Sequence, residues 1–109
     1  MSVQDVDIVD YVYLEEGGTP VLVVSDPLTW KPPEDEDHLE MLREKLNSQI
    51  AFVEGGQLGS IYPPYDGGIV RVEVVARHAL NEAAKEFYGV AERVMRKSNL
   101  DLQFRLCDA

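Results

Sequence analysis

A chain of 109 residues, 45% hydrophobic and 28% charged, has the balance of one folded domain, so 1–109 is read as a single unit. Its formal charge is −10 and the excess is local: residues 1–40 carry eleven acids against one base, while 41–109 carry nine of each. A field of that sign repels phosphate backbones and argues against nucleic acid as a partner, and a lone cysteine, Cys107, excludes an internal disulfide.

The opening stretch "MSVQDVDIVDYVYL" places acids where a secretory signal needs a basic segment, and no apolar run reaches membrane-spanning length. A soluble cytoplasmic protein without membrane contact is expected. "DIVDYVYLEEGGTPVLVVSD" reads as a β-hairpin, its two Val/Ile/Tyr-rich strands joined across 15–20, where paired glycines permit positive φ. Val9, Tyr11 and Tyr13 share one side of the first strand, and "VLVV" is apolar on both sides. Some apolar surface must then face away from the core, and a homodimer joined through Val9, Tyr11 and Tyr13 is expected to cover it.

Asp26-Pro27 stops the second strand, because proline has no N–H for a ladder. A helix follows over 34–54: Leu39, Leu42, Leu46, Ile50 and Val53 recur at spacings of 3, 4, 4 and 3, and Gly55-Gly56 closes it. The acids Glu34, Asp35, Glu36, Asp37 and Glu40 fall in its first turns, where the helix dipole favours negative charge, and Asp37 with Glu40 matches a capping box. No glycine and alternate-residue spacing mark a calcium loop there, and His38 lacks a second His or Cys nearby, so no metal is assigned. Trp30, between strand and helix, reads as a lid on the core or as an aromatic anchor for a partner.

Residues 57–68, "QLGSIYPPYDGG", read as a loop carrying Tyr62 and Tyr65. In "IVRVEVVARH", Val70, Val72, Val74 and Ala76 alternate with polar residues, which predicts a strand buried on one face. Asn81 is a predicted N-cap for a helix ending near 98–99, with a stripe of Leu80, Ala83, Ala84, Phe87, Val90, Ala91, Val94 and Met95. "LDLQFRL" is the last strand, with Leu102, Phe104 and Leu106 inward. The order ββαβαβ predicts an α+β domain, a four-stranded mixed sheet with two helices packed on one face.

Catalytic signals are absent from the sequence: Cys107 and His78 have no recognisable base or oxyanion partners, and no phosphate loop, dinucleotide fingerprint or nucleophile elbow occurs. No catalytic residue and no cofactor are assigned.

Asp26, Leu28 and Trp30 after a short strand, His38-Leu39 and Lys45-Leu46-Asn47 in one helix, Phe52-Val53-Glu54 with Gly56 at its end, and Tyr62-Pro63 beyond together form a pattern. In that pattern the chain resembles an uncharacterised family of small bacterial α+β proteins. The resemblance implies a fold and a bacterial origin, and no reaction.

Two functional readings remain. The first is a small, acidic, non-enzymatic protein acting through protein–protein contacts, in one form an immunity-type inhibitor of a basic toxin, with Asp26, Trp30, Asp35, Asp37, His38, Tyr62 and Tyr65 as contact residues. The second is a small ligand-binding domain or enzyme whose cleft lies near Trp30, His38 and the Tyr62–Tyr65 loop.

Overall fold

The computed structural model describes residues 11–14, 18–63, 65 and 67–107. Strands β1 (Tyr11–Leu14) and β2 (Pro20–Asp26) come first, then helices α1 (Asp35–Glu54) and α2 (Gln57–Ile61). Strand β3 (Val70–Ala76), helix α3 (Glu82–Arg96) and strand β4 (Leu100–Leu106) complete the chain.

The architecture expected from the sequence, ββαβαβ with a four-stranded mixed sheet and two helices, is corrected. The body of the sheet is three parallel strands, β2, β3 and β4, in that order, with Leu22 opposite Val72 and Leu102 in register. The four-residue β1 lies antiparallel along the β2 edge, with Tyr11 opposite Val23. From β2 onward the order is β-α-α-β-α-β, with three helices among the described residues. Parallel neighbours cannot be joined by a tight turn, so each long connection must carry the chain back along the sheet, and a helix does so.

The additional helix is α2, in the segment read as a loop. Gly56 takes a left-handed conformation (φ 84°) immediately after α1, and there the chain turns into α2 and buries Leu58 completely. The preceding Gly55 is equally constrained, since a Cβ there would lie 2.7 Å from the Ala51 carbonyl oxygen.

Leu22, Val24, Val70, Val72, Val74, Leu100 and Leu102 form the sheet's contribution to one core, against Leu42, Leu46 and Val53 of α1 and Ala84, Tyr88 and Met95 of α3. Alternation along β3 is complete: Val70, Val72, Val74 and Ala76 are buried, with Arg71, Glu73 and Val75 half-buried on the other face. That other face is held by ion pairs, Arg105 to Glu73 at 2.8 Å and Arg71 to Asp101 at 3.8 Å. Leu106, expected to point inward, is 43% exposed because it ends an edge strand.

Both helix stripes differ from their predicted faces. On α1 the buried set includes His38, Lys45 and Gln49, while Leu39 and Ile50 are only half-buried. On α3, Ala84, Tyr88 and Met95 are buried, whereas Val90 and Val94 are each 52% exposed. The predicted capping box at Asp37 does not form. The N-cap lies three residues earlier, at Glu34, which makes no side-chain cap bond, and α1 starts at Asp35, so Asp37 lies inside the first turn. Of the expected dimer face, Val9 and the side chains of Tyr11 and Tyr13 lie outside the described residues.

Candidate functional site

The carboxyl end of a parallel sheet is where α/β proteins usually place a ligand, and here that end holds a buried polar cluster. Alternation along β2 sends Leu22, Val24 and Asp26 to the helix-covered face, so the last of them brings a carboxylate into the core. Asp26 is 1% exposed, and both its oxygens are engaged. Oδ1 accepts from the Leu28 backbone N–H at 3.2 Å, and Oδ2 lies 2.7 Å from His38 Nε2. The first of these is an aspartate turn, which a proline at position 27 assists by fixing the local backbone.

His38 lies in the first turns of α1 and is also 1% exposed. Its second nitrogen, Nδ1, is 2.8 Å from the Thr29 carbonyl oxygen. Two acceptors therefore face the two ring nitrogens, and both contacts are hydrogen bonds only when two protons are shared within the cluster. An imidazolium beside a carboxylate satisfies this, and so does a neutral ring beside a protonated Asp26; either way the pair has no net charge. Trp30 stacks on the imidazole with centroids 3.6 Å apart and planes 19° from parallel.

The Trp30 carbonyl oxygen accepts from Asn81 Nδ2 at 3.3 Å, while Asn81 Oδ1 accepts from the Ala84 N–H at 2.8 Å. Asn81 thus caps α3, as predicted from its position, and also ties that helix to the β2–α1 connection. These bonds fix the chain from Asp26 to His38 at both ends and in the middle.

Tyr88 of α3 is also buried, within reach of the charge on Asp26. Its hydroxyl is buried without a hydrogen-bond partner among the described residues. Burial, with the negative charge of Asp26 adding to it, pushes the phenol well above its ordinary range. Folding keeps the phenol protonated, so this group leaves stability independent of pH below the unfolded tyrosine's value of about 10 and lowers it as pH rises beyond. Tyr88→Phe is therefore expected to leave stability at pH 7 unchanged or raise it by about 1 kcal/mol, having removed an unsatisfied hydroxyl. Urea unfolding at pH 7 and pH 11 checks both halves: the wild-type protein should lose stability between them and the variant should lose less.

Beside His38, on the side away from the core, Leu28, Thr29, Glu34, Asp37 and Met41 line a cavity of about 180 Å³. Its walls are apolar and its rim carries two carboxylates. Glu34, Glu36, Asp37 and Glu40 of this helix start are exposed and Asp35 is half-buried; among the described residues only Glu40 of these has an ion-pair partner, Arg43. Among the described residues no group of three or more His, Cys, Asp or Glu is placed to hold a metal ion.

Asp26 and Trp30 both contact His38 and Asp37 shares a cavity lining with it, whereas Asp35 is only half-buried in the first turn of α1, and Tyr62 and Tyr65 are not part of the cluster. The tyrosines lie just before the start of β3, whereas Trp30 and His38 lie beyond the end of β2. The registers Val21–Arg71 and Asp26–Ala76 put about 17 Å of strand between those two ends. Tyr65 packs against the core and donates to the Gly68 carbonyl at 2.9 Å. The cavity beside His38 is lined by neither Tyr62 nor Tyr65. Cys107 and His78 are exposed, and Cys107 contributes its backbone N–H to Ala76 O at 2.7 Å.

Lys45, Gln49 and Tyr88 were missed as buried polar groups. Their signal was positional: His38, Leu42, Lys45 and Gln49 follow at spacings of 4, 3 and 4, which defines a helix face as well as any apolar stripe.

A protein-family model described as a family of unknown function, DUF6572, matches residues 1–108. No curated protein matches, and no solved structure matches. Among the described residues no helix is long and apolar enough to cross a membrane.

Proposed function

Since the chain belongs to the DUF6572 family, whose function is unknown, we propose from its geometry that it is a non-enzymatic binding protein that takes a basic protein partner at the start of α1. The observation that carries this reading is the pairing of a sequestered histidine with exposed acids. Both nitrogens of His38 are committed within the fold and one ring face is covered, which leaves the imidazole no free nitrogen to take a proton from a substrate. The carboxylates outside it are exposed and, apart from Glu40, without ion-pair partners among the described residues.

The cavity rimmed by Glu34 and Asp37 suits the side chain of a lysine or arginine. Its stem would lie on Leu28 and Met41 and its charged head between the carboxylates. Complementary charge of this kind acts mainly on the association rate and on the choice of partner. An immunity-type inhibitor of a basic toxin is one form such a protein takes.

The test compares two immobilised baits in extracts of the native cells: the wild-type chain and the variant Glu34→Gln, Asp35→Asn, Glu36→Gln, Asp37→Asn. A basic protein retained by the first, released as salt rises toward ~0.5 M and lost by roughly tenfold or more on the second supports the reading. Identical retention by both baits overturns it.

A further inference from the structure

Helix α3 carries two apolar seams. Ala84, Tyr88, Ala91 and Met95 follow at spacings of 4, 3 and 4 and pack toward the sheet. Ala83, Phe87, Val90 and Val94 repeat the same spacings one residue earlier, and along this second seam Val90 and Val94 are each 52% exposed. Between this seam and Ile50 of α1 runs a groove of about 170 Å³. A 4-3-4 spacing is the pattern by which one helix packs along another; within the described fold Phe87 of this seam also packs against the core, while Val90 and Val94 stay exposed.

The charges beside the seam identify what does. On its outer flank are Glu86 and Arg93, both exposed and without ion-pair partners among the described residues. More widely the helix is polarised, with Glu82 in its first turn and Arg93 and Arg96 in its last. A second α3 laid antiparallel about a two-fold axis at Val90 puts Glu86 of each copy beside Arg93 of the other. In antiparallel packing equivalent flanks face each other, so the seam and the charges match in the same arrangement. A parallel pairing would instead turn this flank toward the opposite flank of the other copy, and Glu86 and Arg93 would not meet.

We propose that this seam is a self-association surface and that its occupant is a second copy of the chain, joined through antiparallel α3 helices. The contact is short, so the dimer belongs to the weak, concentration-dependent class. It is distinct from the acidic end of α1 and does not depend on the partner proposed for that end.

Sedimentation equilibrium across roughly micromolar to millimolar chain tests it. The wild type should pass from monomer to dimer, and Val94→Glu should remove the dimer. Glu86→Arg and Arg93→Glu should each weaken association about tenfold or more, because each sets like charges face to face. The double variant E86R/R93E should recover association to within a few-fold of wild type, a result only self-pairing in this orientation gives. Thermal melts of each variant confirm that these exposed substitutions leave the fold intact. A chain that stays monomeric throughout, a dimer indifferent to Val94→Glu, or a double variant that fails to recover would each overturn the proposal.

Discussion

Asp26→Ala is expected to destabilise the protein by about 3–5 kcal/mol, a large share of the roughly 5–15 kcal/mol that holds a domain of this size together. The deletion leaves the buried His38 Nε2 and the half-buried Leu28 N–H without their partner. The imidazole cannot turn to water, since His38 is 1% exposed and its ring is held under Trp30. Asp26→Asn keeps an oxygen for Leu28 and should fall between alanine and wild type. In a double-mutant cycle with His38→Ala, the pair should show about 1–3 kcal/mol of coupling, because removing the second partner relieves the first orphan. Urea titrations with unchanged slope measure all four proteins. A cost below about 1 kcal/mol for Asp26→Ala would mean that the cluster rearranges freely and does not hold the β2–α1 connection.

That connection is also where structure meets the proposed function. Glu34, Asp35, Glu36 and Asp37, four of the eleven acids in residues 1–40, sit on a segment fixed by Asp26 on one side and by Asn81, through Trp30, on the other. A loop that opened would scatter those carboxylates and lose the cavity rim. Asp26→Ala should therefore weaken capture of a basic partner even at temperatures where the variant stays folded, although Asp26 itself is buried.

How much of this was legible beforehand follows from what each signal measures. Hydrophobic spacing located α1 and α3 nearly to the residue, because an amphipathic helix writes its period into the chain. It misplaced their faces for the same reason, since counting apolar residues alone cannot see a lysine, a glutamine and a histidine turned inward at positions 38, 45 and 49. The five-residue α2 was hidden by glycine and proline content, which marks turns well but says nothing of one helical turn anchored by Leu58.

The site divides along the same line. Asn81 as a cap was readable, because capping is a local rule with a local partner. Its second bond, to Trp30 across 51 positions, depends on two connections meeting at one end of the sheet, and no local rule reports that. Asp26 was read as a strand stop, and it is one. That it also enters the core opposite a histidine twelve residues on required knowing which face of β2 the helices cover. Of the residues that carried the family resemblance, Asp26, Trp30, His38, Lys45, Leu46 and Val53 are buried, whereas Asn47, Glu54, Gly56 and Pro63 are exposed.

Trp30 gives the second large effect, and its two substitutions separate two roles. Trp30→Ala should cost about 3–5 kcal/mol, since the indole is 6% exposed within the core cluster and its removal leaves a cavity over His38. Trp30→Phe should cost only about 1–2 kcal/mol. The smaller ring can still stack on the imidazole, and the indole Nε1 has no hydrogen-bond partner among the described residues, so no bond is lost with it. The Trp30 backbone carbonyl, which holds Asn81, is present in both variants. Since the chain has one tryptophan, unfolding must be followed by circular dichroism rather than by indole emission. Should phenylalanine prove as costly as alanine, the stacked contact would not be what stabilises this end of the sheet. The indole's larger area or its N–H would then have to carry the difference, and His38 would be held by Asp26 and Thr29 alone.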